Sequence, residues 1–174
     1  AVALFAPVGR VSAMPEIEKL VEKGDVGGLI QVLSAGDVYK GLKAVYALGS
    51  IGGPAVDPLL EVLKNGHRDI RWGAAMALAR IGAPALDPLI DTLRVQDAQV
   101  RNPTVWALSE IGDARAVQPL VQCLRDETSE TCRALTAAAL LKLGDPEGVR
   151  EVQHQFEMHG EEFIGYVMEA YEGS

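Results

Sequence analysis

The chain has 174 residues, of which 48% are apolar and only 5% aromatic. That is enough apolar mass for a core, but the Ala- and Leu-rich mixture favours helices over a β sandwich. Its net charge of −8 is concentrated at one end: residues 145–174 carry eight acids and one base, and the 144 residues before them carry sixteen acids and fifteen bases. This leaves no cluster of Lys and Arg for a phosphate backbone and excludes a nucleic-acid partner. No apolar run reaches the roughly 18 residues of a membrane span.

Residues 1–13, AVALFAPVGRVSA, form an apolar N-terminal extension in which Arg10 comes after the apolar stretch, the reverse of a signal peptide. Val2, Leu4, Phe5 and Val8 have no periodic partner, and Pro7 and Gly9 favour an extended strand of chain. The expectation is that this segment docks on a protein surface, either the chain's own groove or that of a second copy in a homodimer. Residues 14–24 should then form an N-terminal capping helix, with Ile17, Leu20 and Val21 on one face and Gly24 as its stop.

From residue 25 to 145 the sequence repeats itself. ALGSIGGPAVDPLLEVL (47–63) returns thirty residues later as ALARIGAPALDPLIDTL (77–93). Aligned on Gly52, Gly82, Gly112 and Gly144, every copy has Ala five residues earlier (Ala47, Ala77, Ala107, Ala139) and Leu four earlier (Leu48, Leu78, Leu108, Leu140). The residue just before each glycine is Ile51, Ile81, Ile111 or Leu143. These offsets share one helical face, and the glycine after them is a helix stop. The first half of each unit repeats as Val56-Asp57-Pro58-Leu59, Leu86-Asp87-Pro88-Leu89 and Val117-Gln118-Pro119-Leu120, with a weaker copy at Val26-Gly27-Gly28-Leu29. Leu33, Leu63, Leu93 and Leu124 stand four residues after those leucines. The proline fits if it falls in the first helical turn.

Each unit (25–53, 54–83, 84–113, 114–145) is thus read as two antiparallel helices, whose apolar face is buried only by stacking on the next pair. In the third unit, Asn102 is expected to cap a late-starting or kinked second helix with Pro103 at its first position. Residues 146–174 keep helical spacing through Val149, Val152, Phe156, Phe163, Val167 and Ala170 but lose the motif, and are read as acidic C-terminal capping helices.

The second-helix pattern, IRWGAAMALARIG (70–82), VRNPTVWALSEIG (100–112) and CRALTAAALLKLG (132–144), resembles the HEAT-like repeats of the phycobilisome-lyase type. The resemblance covers residues 25–145 and implies an all-α, right-handed α-solenoid of about four helix pairs with capping helices, the second helices lining a concave face. Gly41 stands where the later copies have Arg71, Arg101 and Arg133, so an arginine ladder is interrupted at the N-terminal end.

Catalytic constellations are lacking. His67, His154 and His159 do not share a helical face, and the i, i+5 pair His154 and His159, even with Glu157 and Glu161, makes a poor metal site. The His-Glu dipeptides of HEAT-like di-iron hydroxylases are missing. Neither cysteine sits in a nucleophile elbow or a CxxC pair; Cys132 falls in a core column, where burial raises a thiol's pKa. Gly27-Gly28 has no following Lys-Ser or Lys-Thr to make a phosphate loop. No cofactor is expected, and two unpaired cysteines suit a cytoplasmic protein.

The informative positions face away from the core. Six residues before each glycine stand Tyr46, Met76, Trp106 and Ala138; ten before stand Leu42, Trp72, Asn102 and Ala134; two before stand Ser50, Arg80, Glu110 and Lys142. Tyr, Trp, Met and Arg are the residue types enriched in interfaces. The sequence is therefore read as a non-enzymatic scaffold that binds a protein or peptide through Tyr46, Trp72, Met76 and Trp106, with Arg80 and Glu110 setting polarity. The alternative, implied by the lyase-type resemblance, is an accessory subunit holding a flat cofactor such as a bilin.

Overall fold

The computed structural model describes residues 14–173, which fold into ten α-helices and no strand. The apolar N-terminal segment, with Val2, Leu4, Phe5 and Val8, lies outside the described residues. After α1 (Met14–Glu22) come four antiparallel pairs: α2 (Val26–Ser34) with α3 (Val38–Ile51), α4 (Val56–Asn65) with α5 (Arg68–Ile81), α6 (Ala83–Thr92) with α7 (Ala98–Ile111), and α8 (Val117–Asp126) with α9 (Glu130–Leu143). The second helices α3, α5, α7 and α9 pack side by side in one layer, and α10 (Pro146–Glu172) packs on α8 and α9. This is the all-α solenoid that the repeat demands.

The core is the repeat motif seen from inside. Leu48, Leu78, Leu108 and Leu140 are fully buried, as are Leu59, Leu89 and Leu120 from the first helices. The amphipathic pairs therefore join into one continuous core, as expected of stacked repeats.

The glycines that end the second helices come in two kinds. Gly52 and Gly82 adopt φ 75°, ψ −136° and φ 78°, ψ −130°, the mirror image of extended chain, and each has a Pro two residues on. Gly112 and Gly144 adopt the left-handed helical conformation, and the residue after each, Asp113 or Asp145, caps the next helical turn with its carboxylate. Only glycine enters the first region cheaply, whereas Asn also visits the second.

Two expectations about proline are corrected. The second helix of the third unit starts at Ala98, level with its neighbours, because Asp97 caps it by accepting from Gln99 N at 2.8 Å. Asn102 is no cap, and its Oδ1 is buried without a hydrogen-bond partner. Pro103 sits inside α7, where its missing N–H frees the carbonyl of Gln99, an exposed residue of the first turn. In the first-helix motif, Pro58 and Pro119 fall in the first turn of α4 and α8, as the motif requires. Pro88 does not, since α6 starts early, at Ala83, with Pro84 in its first turn.

The arginine ladder ties successive units together. Arg71 donates to Lys64 O (3.2 Å) at its own pair's turn and reaches Asp97 (3.5 Å) at the next. Arg101 repeats this with Val95 O (2.7 Å) and, through Nε and Nη2, a two-pronged contact with Glu127 at 2.8 and 2.9 Å. Glu127 Oε1 also accepts from the backbone N–H groups of Thr128 and Ser129, and its own carbonyl accepts from Arg133. The Glu127 side chain is 1% exposed. Burial alone would raise its pKa, but the Arg101 hydrogen bonds and the backbone donors outweigh this and hold it below the usual carboxylate range.

Removing one partner of a buried ion pair strands the other charge, so Glu127→Ala is expected to cost about 3 kcal/mol in denaturant unfolding. Because the folded carboxyl titrates below its unfolded value of about 4.3, its contribution is present above that pH and disappears as pH falls through the lower folded value. Wild type should therefore lose stability on acidification more steeply than Glu127→Gln. The glycine classes separate in the same assay: Gly82→Asn should cost about 1–3 kcal/mol, and Gly112→Asn less than about 1 kcal/mol.

Candidate partner-binding face

The outer face of the second-helix layer carries the side chains that the repeat motif leaves unconstrained. Tyr46 and Met76 are exposed, at 47% and 37%, and Trp72 and Trp106 are half-buried. Tyr46, Met76, Arg80, Trp106 and Glu110 surround a shallow cleft of about 310 Å³, floored by Val45 and Ala79 and walled by Leu42. Trp72 lies outside that lining but meets Trp106 edge to face, with ring centroids 6.1 Å apart. The six residues singled out in the sequence thus form one connected surface.

Arg80 is laid down rather than extended. Its guanidinium sits 4.2 Å over the Tyr46 ring, and its methylene stem passes so close to Gly49 that a Cβ there would meet Cδ at 2.5 Å. Gly49 therefore provides the groove in which the arginine lies. Among the described residues Arg80 pairs with no carboxylate, whereas Glu110 is satisfied by Lys142 from the next unit. Lys43 repeats the Arg80 arrangement more loosely, 5.8 Å over the ring of Tyr39.

The fourth unit differs because the chain covers it. Gly160, at φ 77° and ψ −168°, breaks α10. Residues 161–172 then lie back against α9, burying Phe163 and Val167. Ala138, the register equivalent of Tyr46, Met76 and Trp106, is only 4% exposed beneath them, and Ala170 reaches Trp106 and Ser109 of α7. The sequence shows the two alanines of this unit, Ala134 and Ala138, but not why they are small; a second amphipathic stripe after a glycine was the available hint.

The sequence profile for HEAT repeats matches residues 26–105 and 85–141. The chain belongs to the HEAT-repeat family. No curated protein sequence matches it. A solved structure similar to it is a designed armadillo repeat protein in complex with the peptide (KR)4, 22% identical, covering 90% of this chain and 86% of that one, with a TM-score of 0.44. Stacked HEAT repeats give extended surfaces of the kind protein-interaction scaffolds use.

Among the described residues no three His, Cys, Asp or Glu side chains gather as a metal site, and no helix is long and apolar enough to cross a membrane. Cys132 is buried and Cys123 half-buried, both as free thiols. The neighbouring Cys123 thiol, burial and the Glu127 carboxylate all push the Cys132 thiol upward, away from the reactive thiolate form.

A double-mutant cycle on Tyr46→Leu and Arg80→Gln tests the stacked arrangement. The expected coupling is about 0.5 kcal/mol in unfolding free energy. Repeating the cycle in a Gly49→Ala background should abolish it, because the added methyl displaces the arginine stem.

Proposed function

We propose that this HEAT-repeat chain is a non-enzymatic scaffold that binds a partner protein or peptide on the concave face lined by its second helices, through Tyr46, Trp72, Met76, Arg80, Trp106 and Glu110. The supporting observation is a contrast within one column. Ala138 is small and sealed under the chain's own helix, while Tyr46 and Met76 at equivalent positions are large and open. Large apolar side chains kept at solvent in successive repeats mark a surface meant to be covered. The two free thiols suit a reducing, cytoplasmic setting. The bilin-holding reading fares less well on the same residues, since Trp72 and Trp106 meet at 68° and offer no pair of parallel plates for a flat ring system.

Affinity capture from the source cell's lysate, read by mass spectrometry, tests the proposal. A variant with Tyr46, Trp72, Met76 and Trp106 all changed to Ala should lose a protein that wild type retains, with its helical circular dichroism unchanged. Equal retention by both would move the binding surface elsewhere, and a visible absorption band in purified wild type would favour the bilin reading.

A further inference from the structure

The repeat register shows what kind of partner the open end of this face accepts. On α9, the surface beneath residues 161–172 includes Glu130, Thr131, Ala134, Leu135 and Ala138. Counted back from the terminal glycine, the same positions on α3 are Val38, Tyr39, Leu42, Lys43 and Tyr46. Nothing in the described chain covers them: Val38 is 88% exposed, Tyr39 56% and Leu42 45%. Among the described residues the same helical face thus occurs twice, once with a helix seated on it and once bare.

The seated helix has a definite chemistry. It presents Phe163, Val167 and Ala170, at i, i+4 and i+7, to the layer, and it carries Glu161, Glu162, Glu169 and Glu172 with no Lys or Arg. The bare face suits such a helix better than the covered one does. Its five α3 positions include no acid, Glu110 at the edge of the adjoining cleft is paired with Lys142, and its cations, Lys43 and the neighbouring Arg80, lie over tyrosine rings instead of against carboxylates. Their N–H groups therefore remain available to an incoming anion. The adjoining 310 Å³ cleft, near the lower limit of ligand pockets, suits an anchoring apolar side chain.

We propose that the α3 face, continuing onto Met76 and Arg80, is the docking site for an acidic amphipathic helix of a partner protein, held as residues 161–172 are held on α9. This rests on the reading of the second-helix layer as the binding face and specifies its occupant. The apolar stripe of the partner, spaced i, i+4, i+7, would cover Leu42, Tyr46 and Met76, while its carboxylates reach Lys43 and Arg80.

The test uses the full chain and three fluorescein-labelled peptides. The first has the sequence of residues 161–172, stapled into a helix. The second has its four glutamates replaced by lysine, and the third carries a proline at its centre in place of the staple. Anisotropy titrations should show saturable binding of the first peptide and at least roughly tenfold weaker binding of the other two. Leu42→Glu and Lys43→Glu, both at exposed helical positions, should each weaken the first peptide by about tenfold without changing circular dichroism. Equal binding of the proline or lysine peptide would overturn the acidic-helix assignment, as would binding indifferent to both substitutions. So would binding that arises only after Val2, Leu4, Phe5 and Val8 are changed to Ser, which would make the chain's own N-terminal segment the occupant. Self-association of unlabelled protein that is abolished by Lys43→Glu would assign the face to a second copy and also overturn the proposal. If any of these holds while lysate capture still depends on Tyr46, Trp72, Met76 and Trp106, the scaffold reading stands and only the helical partner falls.

Discussion

A single pair of these helices cannot bury its own apolar stripe, and that shortfall organises the molecule. The Leu48 column and the Leu59 column are each fully buried only because another pair, or α10, lies against them. Burial at about 25 cal/mol per Å² of apolar surface makes stacking the dominant favourable term. Stacking in turn requires every unit to end its second helix at the same point, whichever of the two glycine conformations then turns the chain back. The glycines at φ near 70–80° meet that requirement, and the period of thirty or so residues is its result.

Once the inner face of each second helix is committed to the core, its outer face is free to vary, and here function and solubility compete. The chain resolves the competition differently at its two ends. At α9 it places small residues and folds an acidic helix across them through the break at Gly160. At α3 and α5 it places Tyr, Leu, Met and Trp, leaving Leu42, Tyr46 and Met76 exposed and Trp72 half-buried. The buried polar ties between units run along a separate line, the ladder from Arg71 to Glu127 at the helix-pair turns, and the outer face adds only the exposed Glu110–Lys142 pair and the Arg80–Tyr46 stack.

Much of this was legible in the sequence because it depends on spacing. The in-register glycines and the Ala-Leu-x-x-Ile pattern define the helix pairs, and offsets of six, ten and two define the outer columns. What spacing does not carry is the competition between local signals. Asn102-Pro103 reads as a helix start, but Asp97 offers a better cap five residues earlier, and a proline that frees only the carbonyl of exposed Gln99 does not break α7. Likewise, Pro88 lies inside α6 because that helix begins at Ala83, whereas the matching Gly53–Ala55 segment, which also carries a proline, stays a separate 3-10 turn ahead of α4. The return of residues 161–172 onto α9 was illegible for another reason. Gly160 permits the reversal, but the partner surface, Ala134 and Ala138, lies more than twenty residues upstream, and nothing local connects the two.

The interrupted ladder has a dynamic consequence. In a linear stack, opening propagates between neighbours and begins where coupling between them is weakest. Units two to four are joined by guanidinium clamps at Arg71 and Arg101, but Gly41 leaves the first unit attached to the second by apolar packing alone among the ladder positions. Amide exchange should therefore be fastest in α2 and α3 and slowest around Glu127. The helix with the barest aromatic face thus belongs to the unit that no guanidinium clamp at the ladder holds, and a partner that settles on α3 and reaches Arg80 would fasten that unit to the next.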